Sequence, residues 1–301
     1  MSGWTVIGAP LESSGKGEGE ERGPAALRAT RLLTRLNPED QGDIEARVAS
    51  SARDPETGVI GYRDVLAASR ELRDAVAGIR ANGRRPLVLG GDCTLLIGAL
   101  AGVQGCLGAG ERLGLVMLDG HLDAYDGRTS PSGECADMDL TIALGGGPAE
   151  LAGLGATSPL VGPDDAVAIG YRHPDLSEMP PEWHSALEPE LVDPRVEVIE
   201  AEAVAAPRDP TLGARIERDL RGGPGRFWMH LDADAINPEE MPAVSYREPG
   251  GLSSAQVGSL LGPLGRSPAL CGASVSDLNA DRDPDGACAR LLARLIAQAL
   301  A

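Results

Sequence analysis

Short apolar runs that alternate with amphipathic segments of helical period constrain this chain more than any other feature. Trp4 to Ala9, Pro86 to Leu89, Leu113 to Leu118, Asp165 to Ile169, Phe227 to Leu231 and Leu270 to Val275 read as buried strands. Between them, apolar residues at helical spacing predict helices over Pro24 to Leu36, Arg63 to Asn82 with Gly83 as its stop, Thr94 to Val103, Ala214 to Leu220, and Ser253 to about Leu261. A last helix is expected from Gly286 to Ala301, with Asp283 or Asp285 able to start it. Strand and helix in strict alternation imply a parallel sheet covered by helices, an α/β architecture. With 301 residues, 42% of them hydrophobic, one large core and one domain spanning residues 1–301 are expected.

Three of these strands are followed at once by polar residues of one kind. The runs are Gly90-Gly91-Asp92-Cys93, Asp119-Gly120-His121-Leu122-Asp123 and Asp232-Ala233-Asp234. Asp119, His121 and Asp123 alternate, as do Asp232 and Asp234, so residual strand geometry points each set in one direction. Acidic residues at a strand end can simply cap the next helix. Two such sets with almost no basic neighbours would repel one another unless a cation neutralised them. Carboxylates with one imidazole favour a hard or borderline divalent ion, Mn2+ ahead of zinc or iron. Two such ions, about 3.5–4 Å apart, could activate water for attack on an electrophilic carbon.

Composition narrows the partners. There are 27 basic against 45 acidic side chains, and a net charge of −18 disfavours nucleic acid and anionic membranes as partners. A small-molecule substrate is expected. Five cysteines without framework spacing fit free thiols in a reducing compartment. No apolar stretch is long enough to span a bilayer, and a cytoplasmic location is expected.

The same residues, read together, resemble the ureohydrolases, the family of arginase, agmatinase, guanidinobutyrase, N-hydroxyarginine amidinohydrolase and formimidoylglutamase. The resemblance covers nearly the entire chain: Val6-Ile7-Gly8-Ala9-Pro10, Gly23-Pro24-Ala25-Ala26-Leu27-Arg28, the three acidic runs, Ile169-Gly170-Tyr171-Arg172, Pro249-Gly250-Gly251-Leu252 and Asp277-Leu278-Asn279. It implies a three-layer α/β/α sandwich around a mainly parallel sheet, assembled as trimers or hexamers. It also implies a manganese-dependent amidinohydrolase that cleaves a C–N bond of a linear guanidino compound to urea or hydroxyurea plus an amine. By that pattern the metal ligands are Cys93, Asp119, His121, Asp123, Asp232 and Asp234. Asp119 and Asp232 would bridge, Asp123 would hold one ion with Cys93 and orient the attacking hydroxide, and His121 and Asp234 would hold the other ion. Asp277 would steer the guanidinium, and Asp175, Glu134 and Asp137 would contact a second cation of the substrate.

Several positions depart from the family pattern. Cys93 stands where the family usually has histidine, so the first site could be weak for manganese, select another ion or leave only one ion bound. The competing reading of Cys93 is a small buried hydrophobe after a glycine turn. The histidine that relays protons in arginase would fall near Ala136, where there is none, and His173, beside the segment from Tyr171 to Asp175, is the best substitute. Asn237 replaces an aspartate behind the ligands, and His230 could support them or simply pack. Two alternatives follow: a formimidoylglutamase-like hydrolase, which needs a cation such as Arg128, Arg172 or Arg247 near the site, or a metal-deficient homologue acting as a binding subunit.

Overall fold

A computed structural model describes residues 3–173 and 187–301. Its strands are β1 (Trp4–Ala9), β2 (Glu39–Asp43), β3 (Arg85–Gly90), β4 (Arg112–Leu118), β5 (Ala166–Tyr171), β6 (Glu197–Glu200), β7 (Gly225–Asp232) and β8 (Leu270–Ser276). The α-helices are α1 (Gly23–Ala29), α2 (Tyr62–Ala81), α3 (Leu95–Gln104), α4 (Asp139–Ala143), α5 (Ala149–Ala152), α6 (Glu188–Leu191), α7 (Thr211–Gly222), α8 (Ser254–Gly265) and α9 (Ala287–Leu300). All strand pairs are parallel, in the order β2-β1-β3-β8-β7-β4-β5-β6.

Alternation along each strand divides the interior into two layers. Val6, Leu87, Leu89, Val116, Leu118, Phe227, Met229 and Leu231 pack with Leu27 of α1, Ile216 and Leu220 of α7, Leu260 of α8 and Leu292 of α9. Ile7, Val88, Leu115, Met117 and Trp228 face the other way, onto Leu72 and Val76 of α2, Leu96 and Leu100 of α3, Ile142 of α4 and Leu151 of α5. Two-sided burial explains why these strands read as continuous apolar runs. The expected three-layer sandwich is therefore the observed fold, with an all-parallel sheet.

Two expectations are corrected at the sheet's margins. The helix expected over Pro24 to Leu36 stops at Ala29, because Arg31 adopts a left-handed φ of 57° and the remainder winds as a 3-10 turn. The edge strands β2 and β6 are absent from the sequence reading. β2 has the sequence Glu-Asp-Gln-Gly-Asp and is exposed throughout, so it carries no apolar signal. Among the described residues no helix is long and apolar enough to cross a membrane.

Four neighbouring strands, β3-β8-β7-β4, end side by side, and the polar runs leave their carboxyl ends. β7 brings this about by pairing with β4 on one side and β8 on the other. Segments far apart in sequence thus open onto one crevice, the usual ligand position in open parallel sheets.

Candidate metal centre

Each run is bent into place by a local device. After β3, a side chain at Gly91 would put its Cβ 1.7 Å from the Leu11 carbonyl oxygen, so only glycine lets the chain turn there and present Cys93. The Asp92 carboxylate accepts from the Ser13 and Thr94 amides at 2.5 and 3.1 Å and clamps this turn. After β4, a Cβ at Gly120 would lie 2.2 Å from Arg172 Nη2 and 2.8 Å from Asp234 Oδ1. Glycine there lets the Gly120 amide donate to Asp234 Oδ1 at 3.0 Å. At the end of β7, Asp232 Oδ1 accepts from the Asp234 amide at 2.5 Å. Asp123 and Asp277 hold left-handed φ values of 47° and 61°, strained for side-chain-bearing residues, and both carboxylates enter the cavity. The Asp277 amide donates to the Gly91 carbonyl at 2.6 Å, which ties the β8 turn to the β3 turn.

The six expected ligands converge. Cys93 Sγ lies 2.9 Å from Asp232 Oδ2, 3.1 Å from Asp277 Oδ2 and 3.8 Å from Asp119 Oδ2. His121 Nδ1 lies 3.1 Å from Asp234 Oδ2 and 3.6 Å from Asp119 Oδ1. Asp119 therefore faces both halves of the cluster, one oxygen toward the thiol and the other toward the imidazole. Three overlapping groups have donor atoms within 4.8 Å of one another: Cys93-Asp119-His230-Asp232, Cys93-Asp123-Asp139 and Asp119-His121-Asp123.

Electrostatics mark the same place. Burial, reinforced by neighbouring carboxylates, raises the carboxyl groups of Asp119, Asp123, Asp232 and Asp277 above their ordinary range. Asp234 behaves oppositely: burial opposes its charge, but His121 and Arg172 overcome that and hold it below the usual range. The Arg172 guanidinium donates to the Asp234 carbonyl at 2.7 Å from within the protein. Burial also pushes His230 down to about 3, so it is a neutral imidazole, with Nε2 3.1 Å from Cys93 Sγ and Nδ1 2.7 Å from Ser274 Oγ. Repelling carboxylates with the imidazoles of His121 and His230 and one thiol form a donor set that fits divalent cations.

The cluster floors a cavity of about 120 Å³ whose walls include Glu134, Asp137, Glu188, Tyr246, Glu248 and Arg172. Glu134 and Asp137, expected to contact a second cation of the substrate, line the cavity wall. Burial raises Glu134 to about 8 and Asp137 to about 6, the latter while accepting from Ser130 and Ser132 Oγ at 2.7 Å each. His173 is not brought to the cluster: its side chain is 64% exposed and pairs with Glu200 at 3.2 Å. Asp175 lies outside the described residues. Of the three arginines weighed as anion contacts, Arg128 is 90% exposed beside Asp126, Arg247 is exposed, and Arg172 is occupied by Asp234.

Sequence reasoning missed Glu188, Glu248 and Asp139. Glu188 accepts from the Leu122 and Ala124 amides at 3.2 and 3.4 Å and so fixes the backbone that carries His121 and Asp123. Glu248 Oε2 lies 3.8 Å from His121 Nε2, one residue before the Pro249-Gly250-Gly251 motif that could have flagged it. Asp139 follows the Ser130-Pro131-Ser132-Gly133 loop and lacks any sequence pattern of its own.

Residues 2–301 match the Arginase family. The chain belongs to this family. An arginase of Brevibacillus brevis is 30% identical over 298 residues, covering 97% of this chain and 95% of that protein. The crystal structure of native arginase from Bacillus caldovelox at pH 5.6 superposes with a TM-score of 0.88 at 26% identity, covering 100% of this chain and 98% of that one. The formimidoylglutamase of Bacillus subtilis shares the fold, with a TM-score of 0.73 at 15% identity over 100% of this chain and 86% of that one. The chain is an arginase-family hydrolase in which Asp119, His121, Asp123, Asp232 and Asp234 converge with Cys93 at one end of the sheet.

Proposed function

We propose that this chain is a manganese-dependent amidinohydrolase that cleaves a C–N bond of a cationic guanidino compound, releasing urea or hydroxyurea and an amine. One observation carries the reading. The cavity above the ligand cluster is walled by Glu134, Asp137, Glu188 and Glu248, and its one lining arginine, among the described residues, is held by Asp234. Residues 174–186 contain no lysine or arginine either. Such a wall, whose raised carboxyl groups ionise readily beside an incoming cation, favours a guanidinium or a second ammonium over a carboxylate. It disfavours a formimidoylglutamase-like substrate, which carries carboxylates.

Cys93, Asp119, Asp123 and Asp232 would hold one ion, and Asp119, His121, Asp232 and Asp234 the other. When bound, a pair of such ions supplies a nucleophile from water at neutral pH. The protein's own groups do the rest. Asp277, with its carboxylate in the cavity, receives the guanidinium and orients its carbon. Asp123 orients the attacking water, accepts its proton and passes it to the departing amine, which accounts for turnover without a histidine near Ala136. Asp137 and Glu248 hold the distal cation of the substrate, and Tyr246 packs beside them.

A panel of guanidino compounds assayed for urea and amine release by the manganese-reconstituted protein tests this. Compounds bearing a distal amine should turn over with higher kcat/KM than guanidino acids, and N-formimidoylglutamate should not react. Turnover of the formimidoyl compound, with none of the cationic guanidines, would contradict the reading.

A further inference from the structure

Asp139 opens the short helix α4 and is entirely buried, with 0% of its surface exposed. Neither carboxylate oxygen has a hydrogen-bond partner. The ionisable groups facing it are Asp92, Asp119, Asp123, Asp277, Cys93 and Cys135, all acidic. No arginine, lysine or histidine pairs with it among the described residues. An ionised carboxylate cannot be stable in such surroundings without compensation. A proton alone does not resolve the problem, because the neutral acid adds an O–H donor that also lacks an acceptor.

A cation does resolve it. A carboxylate oxygen of Asp139, Cys93 Sγ and an oxygen of Asp123 lie within 4.8 Å of one another. Ligand atoms about 2.0–2.6 Å from a single divalent ion stand apart by no more than about twice that distance, so one ion can reach all three. We infer that Asp139 is a further ligand of the ion on the Cys93 side, joining Cys93 and Asp123. The inference rests on the metal-dependent reading of this site. It supplies that side with an extra hard oxygen where the thiol offers a soft donor, and so keeps a mixed site able to hold an oxygen-preferring ion.

The full chain, stripped with chelator and refilled with Mn2+ or Co2+, provides the test in wild type, Asp139→Asn and Asp139→Leu. The readouts are ions per chain, Mn2+ affinity and the thiolate-to-cobalt charge-transfer band that reports an ion on Cys93. The isosteric Asn variant guards against misfolding, which circular dichroism checks. We expect two ions and a thiolate band in wild type. Both variants should bind the Cys93-side ion at least tenfold more weakly, with the band titrating at correspondingly higher cobalt. Unchanged affinity and an unchanged band in both variants would overturn the Asp139 assignment while leaving the metal-dependent reading intact. A wild type that binds no ion would overturn both, and one that binds ions without a thiolate band would overturn the inference alone.

Discussion

At the scale of single residues, the site depends on a few close approaches that only small or strained residues allow. Gly120 is the clearest, since any Cβ there strikes Arg172 and Asp234 together. Gly120→Ala should therefore push Asp234 out of line, weaken metal binding about tenfold or more and cost about 1–3 kcal/mol by overpacking. Metal titration and denaturant unfolding of the variant check both numbers, and wild-type values for both would remove the role given to Gly120. The six converging side chains were legible in the sequence because each lies in a short polar run directly after a strand, whereas Asp277 entered through the family resemblance. Glu188, Glu248 and Asp139 were not legible. Each is a lone acid in a loop or at a short helix start, and only folding shows which amide or imidazole it meets. His173, expected as the proton relay because it stands beside the segment from Tyr171 to Asp175, turns outward to Glu200 instead.

At the scale of elements, the interior strands and long helices follow from their patterns, and the edges do not. β3, β4, β7 and β8 are apolar on both faces because helices cover both faces, which made them visible. β2 is a polar edge strand stabilised by Arg28, which ion-pairs with Asp40 and Asp43 at 2.9 and 2.5 Å, a tertiary reason that no local pattern contains. The crossing of α2 and α3 supports the turn that presents Cys93. A Cβ at Gly98 would lie 2.6 Å from the Ser69 carbonyl oxygen, and one at Gly102 would lie 2.6 Å from that of Arg73. Gly98→Ala should thus destabilise the fold by about 1–3 kcal/mol, because backbone rather than a flexible side chain must yield. Chemical denaturation measures this; a neutral or stabilising effect, as expected for Gly→Ala in an uncrowded helix, would show that the two helices are free to separate.

At the scale of the whole molecule, the gathering of acids at one end of the sheet links stability to pH and to metal. Burial raises Asp92 and Asp137 to about 6, Glu188 to about 7 and Glu134 to about 8, against ordinary values of 3.8 for aspartate and 4.5 for glutamate. A raised folded-state pKa means that the native protein holds protons the unfolded chain releases. The associated stability is complete below about pH 4 and is lost as pH rises toward 8. The chelated protein should therefore melt at progressively lower temperature between pH 5 and 8, and Glu134→Gln should remove the upper part of that decline. Manganese should flatten the profile by supplying the missing positive charge and by binding the folded state alone. A chelated protein whose melting temperature is constant or rises over this range would contradict the electrostatic description. The architecture itself was evident from the alternation of strands and helices, whereas the cavity walls, built from segments after β4, β5 and β7, were legible only in part.

The proposed function makes the converging acids the centre of a metal-dependent hydrolase acting on a guanidino carbon. Its most direct test is the rate of urea release from a cationic guanidino compound as manganese is titrated into the chelated protein. No turnover is expected without metal, followed by a rise that saturates at about two equivalents per chain, and no turnover in Asp232→Asn at any metal concentration. Turnover by the metal-free chain, or tight binding of two ions with no hydrolysis of any guanidino compound, would contradict it.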